Sequence, residues 1–233
     1  MAREAFIRSV WRAHRLLVRP RVSVDGPNLD PERVAKVIAK ADVWLTPNLL
    51  EDFKPQDFAD ASPEQRAALQ RAVEQFQEIA RQVPPSGPAP KRQARLGRRY
   101  LLTVIELLRQ ILLPEWLGAL EKLCGEVEEW ATRRDWAVKR DKKHLSEPLL
   151  GDYFAPRLLI HTLEARLLLD PITRFAASAE GLAELCVLPS YDSAQILRHR
   201  NRWYIRLPDA DSRSQMLSEA TFVKTVRQLL KSL

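Results

Sequence analysis

The sequence predicts an α+β protein: a helical N-terminal part, a helix pair, a mostly antiparallel sheet of about five or six short strands, and a closing C-terminal helix. Three observations carry this. Between Tyr100 and Asp135, the apolar residues Trp116, Leu117, Leu120, Leu123, Cys124, Val127 and Trp130 recur at the three- and four-residue steps of one helix face. Beyond Asp135 the apolar runs become short and are bounded by Pro, Asp, Gly or Asn, as strands are. Ser218 then caps a final amphipathic stretch with Phe222, Val223, Val226, Leu229 and Leu230 inward. Helices followed by adjacent strands give a layered α+β unit.

Residues 3 to 17 read as a short amphipathic helix with Phe6, Ile7, Val10, Trp11 and Leu17 on one side and arginines on the other. Its apolar side is expected to dock, on the body of the protein in the simplest case. Val22 to Val24 reads as extended, Asp25 to Asn28 as a turn, and Asp30-Pro31 as the start of a helix running through Ala41. Val43 to Pro47 is expected to be extended. Ser62-Pro63-Glu64-Gln65 is a capping box, with a hydroxyl at the cap, proline at the first helical position and Gln three residues on. Leu69, Val73, Phe76, Ile79 and Ala80 form the buried stripe of that helix, with Phe53 and Phe58 placed to cover it.

Val83 to Pro90 holds four prolines and a glycine, and reads as an exposed linker. The expected organisation is a helical unit over 1–82, a Pro-rich basic linker over 83–99 and an α+β domain over 100–233. The run from Tyr100 to Leu113 is apolar nearly all round, and Pro114 breaks or kinks the helix that follows, since proline donates no hydrogen bond. That run is too short and too charged, with Glu106 and Arg109, to span a bilayer, which takes about 20 residues. No membrane span is expected. On the other side of the second helix, Glu115, Glu121, Glu126, Glu128 and Glu129 predict a solvated acidic face.

Strands are predicted over 135–139, 158–163, 167–169, 182–188, 194–197 and 203–207. In the last pair, Arg200-Asn201 provides the hairpin turn, and Trp203, Ile205 and Leu207 alternate with Tyr204 and Arg206. The segment 158–169 has a composition that also suits a helix; Pro156 and Pro171 bracket a length better matched to a hairpin.

The net charge of +7 is uneven: +5 over residues 1–24, −4 over 25–82, +5 over 83–99 and +1 over the rest. Basicity is a property of two arms, the usual electrostatic footprint for phosphate backbones or anionic surfaces. Two cysteines without a CxxC pair indicate neither a disulfide framework nor a structural zinc. A reducing, cytoplasmic setting is expected, and the scattered arginines of the N-terminus do not read as a signal peptide.

Seven glycines with no GxG spacing exclude a dinucleotide fingerprint and a phosphate loop as these are usually built. No GxSxG elbow exists, and His14, His144, His161 and His199 lack metal-ligand spacing. No cofactor and no metal are expected. One carboxylate pair could serve a metal-dependent nuclease: Asp170 at a strand end and Glu184 in the next strand, although position 186 is Cys where such sites place Lys. A shifted frame, Asp152, Glu164 and Arg166, puts Glu164 at a turn. A second constellation could bind single-stranded nucleic acid: Arg198, Arg200, Arg202, Tyr204 and Arg206 of the last hairpin, with Arg92 and Arg95 of the linker. It weakens if Trp203 faces the core, which leaves Tyr204 alone to stack. The reading these observations favour is a non-enzymatic intracellular binding or adaptor module with a protein partner. A nucleic-acid-associated protein and a metal-dependent nuclease-like enzyme are the alternatives.

Overall fold

The computed structural model describes residues 2–17, 45, 49–84, 88–176, 179–207 and 213–231, so the expected helix over 30–41, nearly all of the extended piece over 43–47 and the segment over 22–28 lie outside the described residues. The chain divides into two compact units, Met1–Ile111 and Leu112–Leu233.

The first unit holds α1 (Ala2–Leu17), a 3-10 turn (Pro55–Phe58), α2 (Pro63–Arg81) and the first half of α3 (Lys91–Thr132). α2 starts at the predicted capping box: Ser62 Oγ accepts from Gln65 N, and Gln65 Oε1 accepts from Ser62 N at 2.9 Å. Its buried stripe is Leu69, Ala72, Val73, Phe76 and Ala80, with Ile79 only half-buried. Phe6 of α1 meets Phe53 at 4.9 Å and Phe58 at 5.8 Å between ring centroids, so the apolar face of α1 is spent on its own unit. Phe6, Ile7, Val10 and Ala13 are buried there, and Trp11 points outward, contrary to its expected place on the docking side. Arg66 holds the loop between the 3-10 turn and α2 by donating to the carbonyls of Ala59 and Ala61 at 3.1 and 2.9 Å.

Residues 91–99, expected in an extended linker, are helical: α3 runs without interruption from Lys91 to Thr132, with the exposed Pro114 inside it. The expected helix pair is therefore one helix. Its N-terminal half buries Leu101, Val104 and Leu108, and its C-terminal half, in the second unit, buries Trp116, Leu120, Leu123, Cys124, Val127 and Ala131. Leu117 and Trp130 are half-buried. The helix ends in a Schellman motif, with Asp135 in the left-handed region at φ 57° and Trp136 N donating to the Ala131 carbonyl at 3.1 Å.

The second unit is an antiparallel meander of seven strands in sequence order: β1 (Ala137–Glu147), β2 (Gly151–His161), β3 (Arg166–Thr173), β4 (Gly181–Leu188), β5 (Ser193–His199), β6 (Arg202–Arg206) and β7 (Gln215–Met216). The count exceeds the expected five or six because the two-residue β7 pairs with β6. β1 continues well past Lys139 through a charged run with no apolar alternation, the composition that protects an edge strand. Arg200 and Asn201, at φ 47° and 62°, make the predicted two-residue turn between β5 and β6. Ser218 and Thr221 form a capping box on α4 (Glu219–Leu230), which buries Phe222, Val223, Thr225, Val226 and Leu229.

The pleat sorts the strand residues into two faces. Leu167, Leu169, Leu185, Val187, Ala194, Ile196 and Ile205 are buried on the face covered by α3. The indole of Trp116 lies against Gly181 and 6.0 Å from the ring of Trp203, and its Nε1 donates to the Tyr153 hydroxyl at 3.1 Å. α4 packs beside α3, with Phe222 5.7 Å from Trp130 and 6.4 Å from Trp136.

A Cβ on Gly181 would stand 2.8 Å from Trp116 Cη2 and closer still to Cζ3. Gly181→Ala is expected to cost about 1–3 kcal/mol through overpacking, read as a lower urea midpoint. Gly118, in α3 with nothing within 4 Å of its would-be Cβ, gives the opposite sign: Gly118→Ala is expected to gain roughly 0.5–1 kcal/mol.

Candidate binding face

The face of the sheet turned away from α3 is not the polar surface expected of a solvated antiparallel sheet. Strand register builds it from three transverse rows. Leu159, Leu168 and Cys186 stand opposite one another across β2, β3 and β4. Leu182, Leu197, Tyr204 and Met216 do the same across β4 to β7. Between these apolar rows runs a polar stripe in which Asp170, Glu184, Gln195 and Arg206 are successive partners. Leu159, Leu168, Leu182 and Tyr204 are half-buried, Cys186 and Leu197 are buried, and Met216 is 56% exposed.

Charges in the stripe are only partly compensated. Lys143 Nζ donates to Asp170 Oδ2 at 2.5 Å and to the Pro171 carbonyl at 3.0 Å. Arg157 pairs with Asp141 at 2.5 Å and draws that carboxyl below its usual range. Arg206 donates to Gln195 Oε1 at 2.6 Å. Glu184, directly opposite Asp170, has no ion pair among the described residues, and Asp170 Oδ1 is buried without a hydrogen-bond partner. An unsatisfied buried acceptor of this kind costs about 1–3 kcal/mol. The centre of the face is therefore acidic beyond what Lys143 balances. Cys186 feels it: burial first, then the charges of Glu184 and Asp170, push its thiol up to about 11 against the pull of Lys143.

The two carboxylates singled out in the sequence, Asp170 and Glu184, are thus brought side by side by the β3–β4 register. A cation near them reaches across from β1 as Lys143, which sequence spacing could not reveal. As a metal site the pair is thin: Asp170 already holds Lys143, and among the described residues no group of three His, Cys, Asp or Glu side chains comes together at ligating distance. In the shifted frame, Asp152 and Glu164 are exposed, and Glu164 sits in the turn between β2 and β3, where its N–H donates to Thr162 Oγ1.

The basic hairpin does not gather its predicted residues on one surface. Arg198 is 5% exposed, pairs with Glu115 of α3 at 3.0 Å and donates to Asn201 Oδ1 at 2.7 Å, so it is withdrawn from any phosphate. Trp203 packs inward on Trp116, and Tyr204 lies on the opposite face with Arg206, its ring 5.9 Å from that of His199. Arg200 and Arg202 sit at and beside the turn. Arg92 and Arg95 are exposed on the first turns of α3.

Behind the sheet lies a polar cluster that the sequence did not signal. Glu147, 8% exposed, accepts from the Tyr153 hydroxyl, from Thr173 Oγ1 at 2.6 Å and from Arg174 N at 3.1 Å. Burial, then the Glu147 carboxylate, holds the Tyr153 hydroxyl protonated far above its usual range. Arg174, 1% exposed, donates to the Glu180 carbonyl. These contacts pin the β1–β2 hairpin end to the β3–β4 connection. The expected acidic face of α3 is also partly engaged, because Arg140 of β1 bridges Glu121 and Glu128 at 2.9 and 2.7 Å.

No protein-family profile, no curated protein and no solved structure matches this chain. Its class rests on its own geometry: an α+β chain whose second unit is a sheet layered with helices on one face. No helix among the described residues is long and apolar enough to cross a membrane.

In the unfolded chain the Cys186 thiol ionises near its ordinary value of 9.0, and in the folded chain near 11. Stability from burying the neutral thiol is therefore whole below about pH 9 and lost as pH rises toward 11. Urea midpoints of the parent should fall more steeply over that interval than those of Cys186→Ser; parallel profiles would contradict the assignment.

Proposed function

We propose that the chain is a non-enzymatic binding module whose second unit offers its open sheet face to a protein partner. The observation that supports this is the apolar identity of outward positions on central strands: Leu159, Leu168, Leu182, Leu197 and Tyr204 stand where a solvated face would carry polar residues. The polar stripe supplies the chemistry of the match. Glu184 and the open acceptor of Asp170 call for a partner arginine or lysine, set among apolar side chains that cover the two flanking rows. Packed aromatic and aliphatic side chains are the usual anatomy of an interface core, and an acidic group set among them needs a cation from the partner.

The nuclease-like reading keeps one observation in its favour, the adjacency of Asp170 and Glu184. Its requirement is DNA cleavage with Mg²⁺ or Mn²⁺ that disappears in Asp170→Asn and Glu184→Gln.

The binding reading is tested by placing a photo-crosslinking amino acid at Leu168 or, as a control, at Arg227 on α4, in the full chain inside the cells that make it. Crosslinking at Leu168 to one defined protein, absent at Arg227 and abolished by Glu184→Lys, is the expected result. Crosslinks that survive Glu184→Lys, or that are equal at the two positions, would sink the proposal.

A further inference from the structure

The outward side of α1 carries a feature independent of the sheet. Arg8, Trp11, Arg12 and Arg15 are all exposed and fall at steps of three and four residues, so they form one stripe about 10 Å long at 1.5 Å per residue. The Arg15 guanidinium lies 4.9 Å from the centre of the Trp11 ring. Arg3 is engaged by Asp60 at 3.1 Å, whereas Arg8, Arg12 and Arg15 have no ion pair among the described residues. A helix this basic with an outward indole departs from an ordinary solvated face, which mixes charges of both signs and hides its tryptophans.

We infer that this stripe binds a single-stranded nucleic acid, its phosphates on Arg8, Arg12 and Arg15 and a base stacked on Trp11. Arginine forks match phosphate oxygens, and an exposed indole gives any base a stacking surface without regard to sequence. The other occupant of a basic amphipathic helix is an anionic membrane, which takes up the apolar face. Here that face is already buried: Phe6 is packed on Phe53 and Phe58, with Ile7, Val10 and Ala13 beside it. Only the arginine–indole side remains available, and it favours the nucleic acid. α3 of the same unit begins with Lys91, Arg92, Arg95 and Arg99 exposed and no acid in its first turn, where the helix dipole disfavours cations.

The test is fluorescence anisotropy of a labelled 20-mer of deoxythymidine with the full chain, between 50 and 200 mM KCl. Three phosphate contacts predict that log affinity falls against log salt with a slope of about −2 from this stripe, and Arg12→Ala should reduce the slope by about 0.7. Trp11→Ala should weaken binding about 5- to 150-fold while leaving the slope unchanged. All four positions are exposed, and circular dichroism of each variant reports that the helices persist. Binding that is undiminished in the Arg8→Ala, Arg12→Ala, Arg15→Ala triple variant would overturn the inference. So would absence of binding at 50 mM KCl, or binding to phosphatidylserine vesicles with none to the oligonucleotide.

Discussion

The contact on which the second unit depends is that of the Trp116 indole with the backbone of Gly181. A helix carrying so large a side chain can approach a sheet closely only where a strand presents no Cβ, and Gly181 opens β4 at that point. With the ring seated there, its Nε1 reaches Tyr153, and Tyr153 in turn reaches the buried Glu147. One apolar contact thereby anchors a chain of polar ones, each buried group satisfied by the next. The indole also meets Trp203 on the inward side of the β5–β6 hairpin, where Arg198 pairs with Glu115. The orientation of the helix, the inward turn of Trp203 and the burial of Arg198 go with one placement.

Among the described residues of the second unit the helices pack on one side of the sheet, and the composition of its other face is what turns a fold into a functional reading. Antiparallel sheets in water alternate apolar and polar residues. β4 does not: Leu182 and Cys186 look outward on either side of Glu184, while Ala183, Leu185 and Val187 look inward. A charged stripe between apolar rows, with Glu184 left without an ion pair among the described residues, is expensive to leave bare and well suited to a partner that brings its own cation. The first unit works by other means, since its α1 spends its apolar side internally and keeps arginines and an indole outside.

Much of the fold was legible in the sequence because short-range chemistry decides it. The Ser62 and Ser218 caps, the Arg200-Asn201 turn and the three- and four-residue stripe from Trp116 to Val127 each need only neighbours in the chain. What escaped reading depends on distant partners. Pro114 predicts a break or a kink, and α3 continues through it without a break, with the proline on the exposed side. The long β1 shows no alternation, and two of its cations are answered by distant carboxylates, Asp170 for Lys143 and Glu121 with Glu128 for Arg140. Trp11 has the period of the buried side of α1 but lies just beyond its edge. For the candidate site, Asp170 and Glu184 could be proposed from composition, whereas Lys143 and the apolar rows become visible only once register is known.

In the free protein the sheet has one face closed by helices of its own unit and one open face. Hydroxyl-radical footprinting of the full chain measures this residue by residue. Tyr204, Leu168, Leu182 and Met216 should oxidise readily while Leu167, Leu185, Ile196 and Trp116 stay protected. Equal protection of the two sets, or protection of the first set alone, would contradict it.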